Sequence, residues 1–176
     1  MTEKTKGLIV GIANEHSIAW GCAMALRAAG AELAFTYLDD KTKSFVEPLA
    51  VQAGVSIFLP LDVTKPEHET ALFAAVREKW GRLDFLLHSI AFAPKADLQG
   101  RVTDCSREGF MTAMDISCHS LRDCIKVGGG HAASGATCCF RKLGCHSRKR
   151  VSNCLSRTAQ RTCNKRWAPS QDQRIR

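Results

Sequence analysis

The 176-residue chain contains a single tyrosine, Tyr37. Any reaction that needs a tyrosine hydroxyl from its second half is therefore excluded for this chain. No apolar run approaches the ~20 residues that a bilayer-spanning helix needs, so no membrane partner is expected. The opening residues, MTEKTKGLIVG, lack the long apolar stretch and small-residue cleavage site of a secretion signal. A cytoplasmic location follows as the expectation, and nine cysteines in that compartment do not argue for a disulfide framework. There is no Cys-x-x-Cys pair and no Gly-x-Gly-x-x-Gly. The first absence leaves the cysteines without common zinc-knuckle spacing, and no metal site is expected.

What is present divides near residue 120. Residues 1–120 carry 12 Lys+Arg against 15 Asp+Glu, and residues 121–176 carry 13 against 2. Three cysteines lie in the first part and six in the second. Asymmetry of this size points to two pieces with different histories or partners.

The first part alternates strand and helix patterns. GLIV at 7–10 reads as a buried strand ending at Gly11. A helix is predicted over 17–29, with Ser17 as N-cap and Ile18, Cys22, Ala25, Leu26 and Ala29 on one face. ELAFTY at 32–37 is a second strand, 41–53 a helix kinked near Pro48, and 56–60 a third strand. A helix over 66–80 has Pro66 in its first turn and an apolar face of Leu72, Ala75, Val76 and Trp80. DFLLHSIA at 84–91 is a fourth strand. KADLQGRV reads as a connection, and Ser106 caps a helix over 107–120 with Phe110 and Met114 turned inward. This order predicts an α/β fold, a Rossmann-like parallel sheet with its first four strands in the order 3-2-1-4 and an incomplete second half. Ligands of such sheets bind beyond the carboxyl ends of the strands, where Gly11, Asp62 and Ile90 fall.

The stretch GLIVGIANEHSIAWG, residues 7–21, joins the first strand to the first helix. A glycine at the strand end lets backbone approach a phosphate, and the helix start at Ser17 presents free N–H groups to an anion. Gly21 would permit close packing or close ligand approach. As a bare pattern it fits a structural turn equally well.

GIANEHSIAWG, AELAFTY, LDV and LHSIAFAP, in that order and spacing, resemble the bacterial enoyl-acyl-carrier-protein reductases, an atypical branch of the short-chain dehydrogenase/reductases. The resemblance runs from residue 7 to about 120, through SREGFMTAMDISCHSL. It implies NADH-dependent reduction of the 2,3 double bond of an acyl thioester in type II fatty acid biosynthesis. It also implies an acyl carrier protein as partner and, in the family, a homotetramer. By position, Gly11, Ser17 and Ile18 are implied to contact the NAD pyrophosphate and nicotinamide ribose region, and Leu38 to stand near the adenosine. Asp62 and Val63 are implied to hold the adenine, Ile90 to flank the cofactor, and Ala93 to line the acyl pocket. Each also has a structural reading: Ser17 as a helix cap, Asp62 as a turn cap. His88 is a candidate base, but its place on an apolar strand favours a structural role. Lys41 and Lys43 suggest a 2′-phosphate less readily than a solvated helix start.

In this family a tyrosine beyond strand 5 hydrogen-bonds the thioester oxygen, and a lysine seven residues later holds the nicotinamide ribose. Neither exists here, because no tyrosine follows residue 37. No catalytic residue is assigned. After Leu121 neither a period of 2 nor one of 3.6 is sustained, and strands 5 to 7 are expected to have no counterpart. Residues 1–120 therefore read as a dinucleotide-binding half domain, and 121–176 as a basic Cys/Arg-rich tail, disordered or out of frame, that leaves the chain truncated and inactive. Three competing readings are weaker. The tail's charge could bind nucleic acid, but no recognition motif accompanies it. Cys138, Cys139, Cys145, His146, Cys154 and Cys163 are zinc-ligand types without ligand spacing. Another short-chain dehydrogenase is opposed by the long glycine loop and HSIAFAP.

Overall fold

The computed structural model describes residues 4–128 and 132–140, the latter as backbone only. Strands β1 (Lys6–Val10), β2 (Glu32–Tyr37), β3 (Ile57–Pro60), β4 (Leu83–His88) and β5 (Ala132–Phe140) form one sheet in the order β3-β2-β1-β4-β5. All four pairings are parallel. The expected 3-2-1-4 order is present, and a fifth strand extends it.

Helices α1 (Ile18–Ala28) and α2 (Asp40–Ala53) cover one face; α3 (Pro66–Trp80) and α5 (Ser120–Gly128) cover the other. The alternation of strand side chains produces this division. Ile9, Leu33 and Phe35 join Ala19, Ala23, Leu26, Val46 and Leu49 in one cluster. Leu8, Val10, Ala34 and Leu86 join Leu72, Phe73, Val76 and Cys124 in the other. A strand apolar on both faces has no polar residue to expose, which is why GLIV reads as a continuous run. Burying each large side chain contributes roughly 1.5–3 kcal/mol.

Glycines close the turns. Gly54 and Gly81 end α2 and α3 in the left-handed region, at φ 61° and 69°. Gly11 has φ 92°, and a Cβ built there would lie 2.3 Å from the Ser89 carbonyl oxygen. Its need for glycine comes from the neighbouring end of β4, not only from a ligand. By contrast, a Cβ on Gly21 meets nothing within 4 Å, so Gly21 does not serve close helix packing.

Several expectations need correction. The buried stripe of α1 is Ala19, Ala23 and Leu26, and Ile18 is 51% exposed. The stripe is turned by one residue from the expected face. Helix α2 starts at Asp40, one residue before the expected start, capped by Asp39, whose carboxylate accepts from the Thr42 N–H at 2.7 Å, and it contains Pro48. Ser106 caps α4 (Arg107–Met114) as expected, accepting from Gly109 N at 2.9 Å. Phe110 and Met114, however, are exposed. The helical path continues through a π turn (Asp115–His119) into α5, beyond the expected end at 120.

The expectation of no elements after Leu121 fails for α5 and β5. Helix α5 buries Ser120, Cys124 and Gly128, small residues four apart. A Cβ on Gly128 would lie 2.6 Å from the Phe73 ring, so the helices touch closely. Strand β5 pairs with β4 from Leu83↔Ala132 to His88↔Phe140 through backbone groups, which every sequence supplies. Cys138 and Cys139 lie on this strand; Cys145, His146, Cys154, Cys163 and most of the tail's basic residues lie outside the described residues. Among the described residues, no helix is long and apolar enough to cross a membrane.

The two glycines of the first loop and helix should respond oppositely to alanine. Gly11→Ala forces both a strained φ and a backbone clash and should cost about 3 kcal/mol. Gly21→Ala places a methyl in open space within a helix and should stabilise by about 0.5–1 kcal/mol. Urea denaturation of the two variants checks both.

Candidate functional site

The parallel register aligns the strand ends. Val10 pairs with His88, Ile9 with Phe35, and Tyr37 with Pro60. The residues following β1, β2, β3 and β4 (Gly11, Leu38, Leu61 to Val63, Ser89 to Ala93) thus emerge along one edge of the sheet. The chain leaves β1 for β2 and β3 on one side and returns from β3 to β4 on the other side of β1, so the edge contains the switch point at which such sheets bind ligands.

At the start of α1, Ser17 occupies the N-cap position, but its side chain does not cap the helix. Its hydroxyl donates to the Asn14 carbonyl at 2.6 Å, and its N–H reaches the same oxygen at 3.1 Å. The Ser17 carbonyl accepts from Trp20 at 3.0 Å and Gly21 at 3.3 Å. The first turn of α1 contains no acidic residue, so nothing within it opposes an anion.

Asp62 sits in the turn between β3 and α3. Its Oδ1 accepts from the Thr64 hydroxyl at 2.6 Å and the Thr64 N–H at 3.0 Å. The hydroxyl bond is the main cause that holds its carboxyl below the usual carboxylate range, with Lys65 3.7 Å away adding to it. Asp62 is thus an ionised acceptor with Oδ1 clasped by its own turn. Val63 and Ile90, both partly buried, pack on the α3-side core beneath this edge. Ile18 and Leu38 present apolar surface, 51% and 54% exposed. Ala93 is partly buried beyond β4.

Three further anchors were not foreseen in these roles. His68 accepts from the Asp62 N–H through Nδ1 at 3.1 Å. Ser117, in the π turn, accepts from the Phe92 N–H at 2.9 Å and donates to the Phe92 carbonyl at 3.1 Å. Asp97 accepts from the Ser106 N–H at 2.6 Å, tying the 3-10 turn Lys95–Leu98 to the start of α4. Only His68 left a readable trace, a side chain in the first turn of a helix that starts at Pro66.

His88 is 1% exposed at the end of β4. Its Nε2 lies 2.8 Å from the Ser120 hydroxyl, which itself donates to the Ile116 carbonyl at 2.6 Å. Ser120 has spent its proton on the Ile116 carbonyl, so His88 donates to it from Nε2. Burial pushes its pKa down. Tyr37 packs against Phe58 with the rings tilted by 49° and centroids 4.8 Å apart, on the β2–β3 side of the sheet.

The family model for enoyl-(acyl carrier protein) reductase matches residues 11–140, most of the chain and nearly all of the described sheet. The chain belongs to this family. It is 48% identical to the NADH enoyl-acyl-carrier-protein reductase FabI of Rickettsia bellii over 116 residues, 66% of this chain and 44% of that protein. It is 42% identical to the NADH enoyl-acyl-carrier-protein reductase 2 of Rhizobium meliloti over 132 residues, 75% of this chain and 49% of that one. Among solved structures, the Anaplasma phagocytophilum reductase in complex with NAD superposes with a TM-score of 0.70 at 43% identity. That superposition covers 73% of this chain and 49% of the other. The Aquifex aeolicus NADH reductase gives 0.72 at 41% identity, covering 75% and 52%. The chain thus spans about half the length of the curated relatives it matches. The family match extends to residue 140, past the compositional break near 120.

The buried imidazole sets a pH dependence in this family member. With its folded pKa depressed, His88 resists a proton that the unfolded chain accepts. Its stabilising contribution is therefore intact above the unfolded imidazole value of ~6.5 and lost as pH falls below it, with a slope of up to ~1.4 kcal/mol per pH unit. Urea unfolding from neutral to mildly acidic pH should show this slope, and His88→Gln should reduce it.

Proposed function

We propose that this chain is the dinucleotide-binding half of an NADH-dependent enoyl-acyl-carrier-protein reductase. The reading rests on one observation: Gly11, Ser17, Ile18, Leu38, Asp62, Val63 and Ile90 follow the carboxyl ends of neighbouring parallel strands or start the helix beside them. Its relatives are named NADH enoyl-acyl-carrier-protein reductases, and the reaction proposed for the full-length enzyme is reduction of the 2,3 double bond of a thioester delivered by acyl carrier protein, within fatty acid biosynthesis and in the cytoplasm.

NADH, when bound, supplies the hydride. The chain's own residues bind and orient. The ionised Asp62 carboxylate accepts from the adenine amine, with Val63 beside it. Ile90 flanks the cofactor, and Leu38 offers an apolar surface to the adenosine. The α1 start, from Ser17 and Ile18 and with Gly11 before it, faces the pyrophosphate and ribose. Ala93 lines the acyl pocket. Asp39, directly after Leu38, is held below the usual carboxylate range by Thr42. Its negative charge disfavours a 2′-phosphate, so NADH is preferred over NADPH.

No residue of this chain is assigned to stabilise the thioester enolate. Such a donor is worth roughly 3–4 kcal/mol of barrier. Tyr37, the only tyrosine, packs against β3, away from β4. The family's homotetramer is likewise proposed only for the full-length enzyme. The chain should therefore bind adenine nucleotides weakly, with a Kd near ~1 mM, and reduce a crotonyl thioester no faster than buffer. Calorimetry and NADH absorbance measure the two properties. Asp62→Asn should weaken binding roughly tenfold, the worth of a hydrogen bond to a charged group. Turnover well above buffer would overturn the reading of this chain as a binding half.

The change from 12 Lys+Arg against 15 Asp+Glu to 13 against 2 supports an out-of-frame origin for the tail after residue 120. The family match through residue 140 counts against a break as early as residue 120, whereas the pairing of β5, which uses backbone groups, does not. Resequencing the coding DNA across codons 115–130 tests it, and an uninterrupted family-like frame there would refute it.

A further inference from the structure

The turn that carries Asp62 is held from two directions. Thr64 clasps the carboxylate through its N–H and hydroxyl. The backbone N–H of Asp62 points the other way and donates to His68 Nδ1 at 3.1 Å. His68 lies in the first turn of α3, after Pro66, and its own N–H donates to the Lys65 carbonyl at 3.0 Å. The imidazole thus reaches back across the helix start much as the third residue of a capping box does, but to a donor farther upstream.

We propose that His68 is the positioning residue of the Asp62–Val63 turn, its Nδ1 lone pair fixing the Asp62 backbone so that the carboxylate faces an adenine amine. The proposal rests on the reading of Asp62 as the adenine contact. Two facts support it. The bond requires an imidazole with Nδ1 unprotonated, because an N–H cannot donate to a protonated ring nitrogen. The bond also closes the loop between β3 and α3, whose other fixed points are Thr64 and the Lys65 N–H on the Asp62 carbonyl at 3.0 Å. The charged groups around His68 are the Asp62 carboxylate and the Lys65 ammonium, which lie 3.7 Å apart in the same turn. Glu67 and Glu69 adjoin it on α3, and Glu69 in turn faces Cys124 and Asp123 of α5.

Two variants of the full chain separate the roles. His68→Asn keeps an acceptor oxygen at the place of Nδ1; His68→Leu removes the acceptor. Circular dichroism melts establish that both are folded. Exchange of the Asp62 amide, followed by NMR, reads the clasp without any ligand, and calorimetry with AMP and NADH reads the site. In His68→Leu the Asp62 amide should exchange faster and nucleotide binding should weaken roughly three- to tenfold, the worth of one hydrogen bond. His68→Asn should restore both. Unchanged Asp62 exchange in His68→Leu, or an Asn variant as impaired as Leu, overturns the positioning role. If Asp62 exchange follows the variants but the unaltered chain binds neither nucleotide, the adenine reading fails and the proposed role with it, while the clasp stands.

Discussion

The ends of β1 and β4 meet at residue 11, and most of the described edge depends on that meeting. A Cβ there would lie within 2.4 Å of both the carbonyl carbon and oxygen of Ser89. The Ser89 N–H in turn donates to the Val10 carbonyl at 2.9 Å. With these strand ends locked, the chain leaves β1 toward α1 and leaves β4 toward the π turn from adjacent points. Ser117 then grips Phe92 by both backbone groups, and Ser120 grips His88. The loop after β4 is thereby fixed at its start and in its middle by residues of one helical path.

The opposite edge of the sheet is tied down by charge. The Lys6 N–H donates to Asp84 at 2.7 Å, the Lys6 ammonium to the Trp80 carbonyl at 3.1 Å, and the Trp80 indole to Glu32 at 2.8 Å. Solvent-exposed pairs contribute little each, but these tie β1, β2, α3 and β4 at their amino or carboxyl starts. Charged side chains thus stitch one end of the sheet, while the end proposed to meet the cofactor keeps exposed apolar surface at Ile18, Leu38 and Phe92.

Half-length relative to its curated relatives is the other governing fact. A Rossmann-like sheet assembles its adenosine side from the early strands and completes its reacting side with later ones. The described chain contains the former with a fifth strand added, and its single tyrosine belongs to that half. Binding and chemistry are therefore separable properties here, and the first does not imply the second.

The strand and helix order of residues 6–114, the parallel sheet and the caps at Ser106 and Gly54 were legible in the sequence. Each follows from local rules: apolar period, glycine conformational freedom and capping chemistry act within a few residues. The strand-end positions of Gly11, Asp62 and Ile90 followed from the same order. What escaped was decided by contacts between distant segments. Helix α5 escaped because its buried positions are the small residues Ser120, Cys124 and Gly128, with Leu121 and Val127 only partly buried, and their fit depends on Phe73 and on a buried Glu69. Burial and the nearby Asp123 raise the Glu69 pKa, which no local pattern announces. The outward turn of Phe110 and Met114, the partner of the Ser17 hydroxyl and the reach of His68 to Asp62 are likewise choices among locally equivalent options. Residue order set the path of the chain, and only packing determined which atom each polar group found.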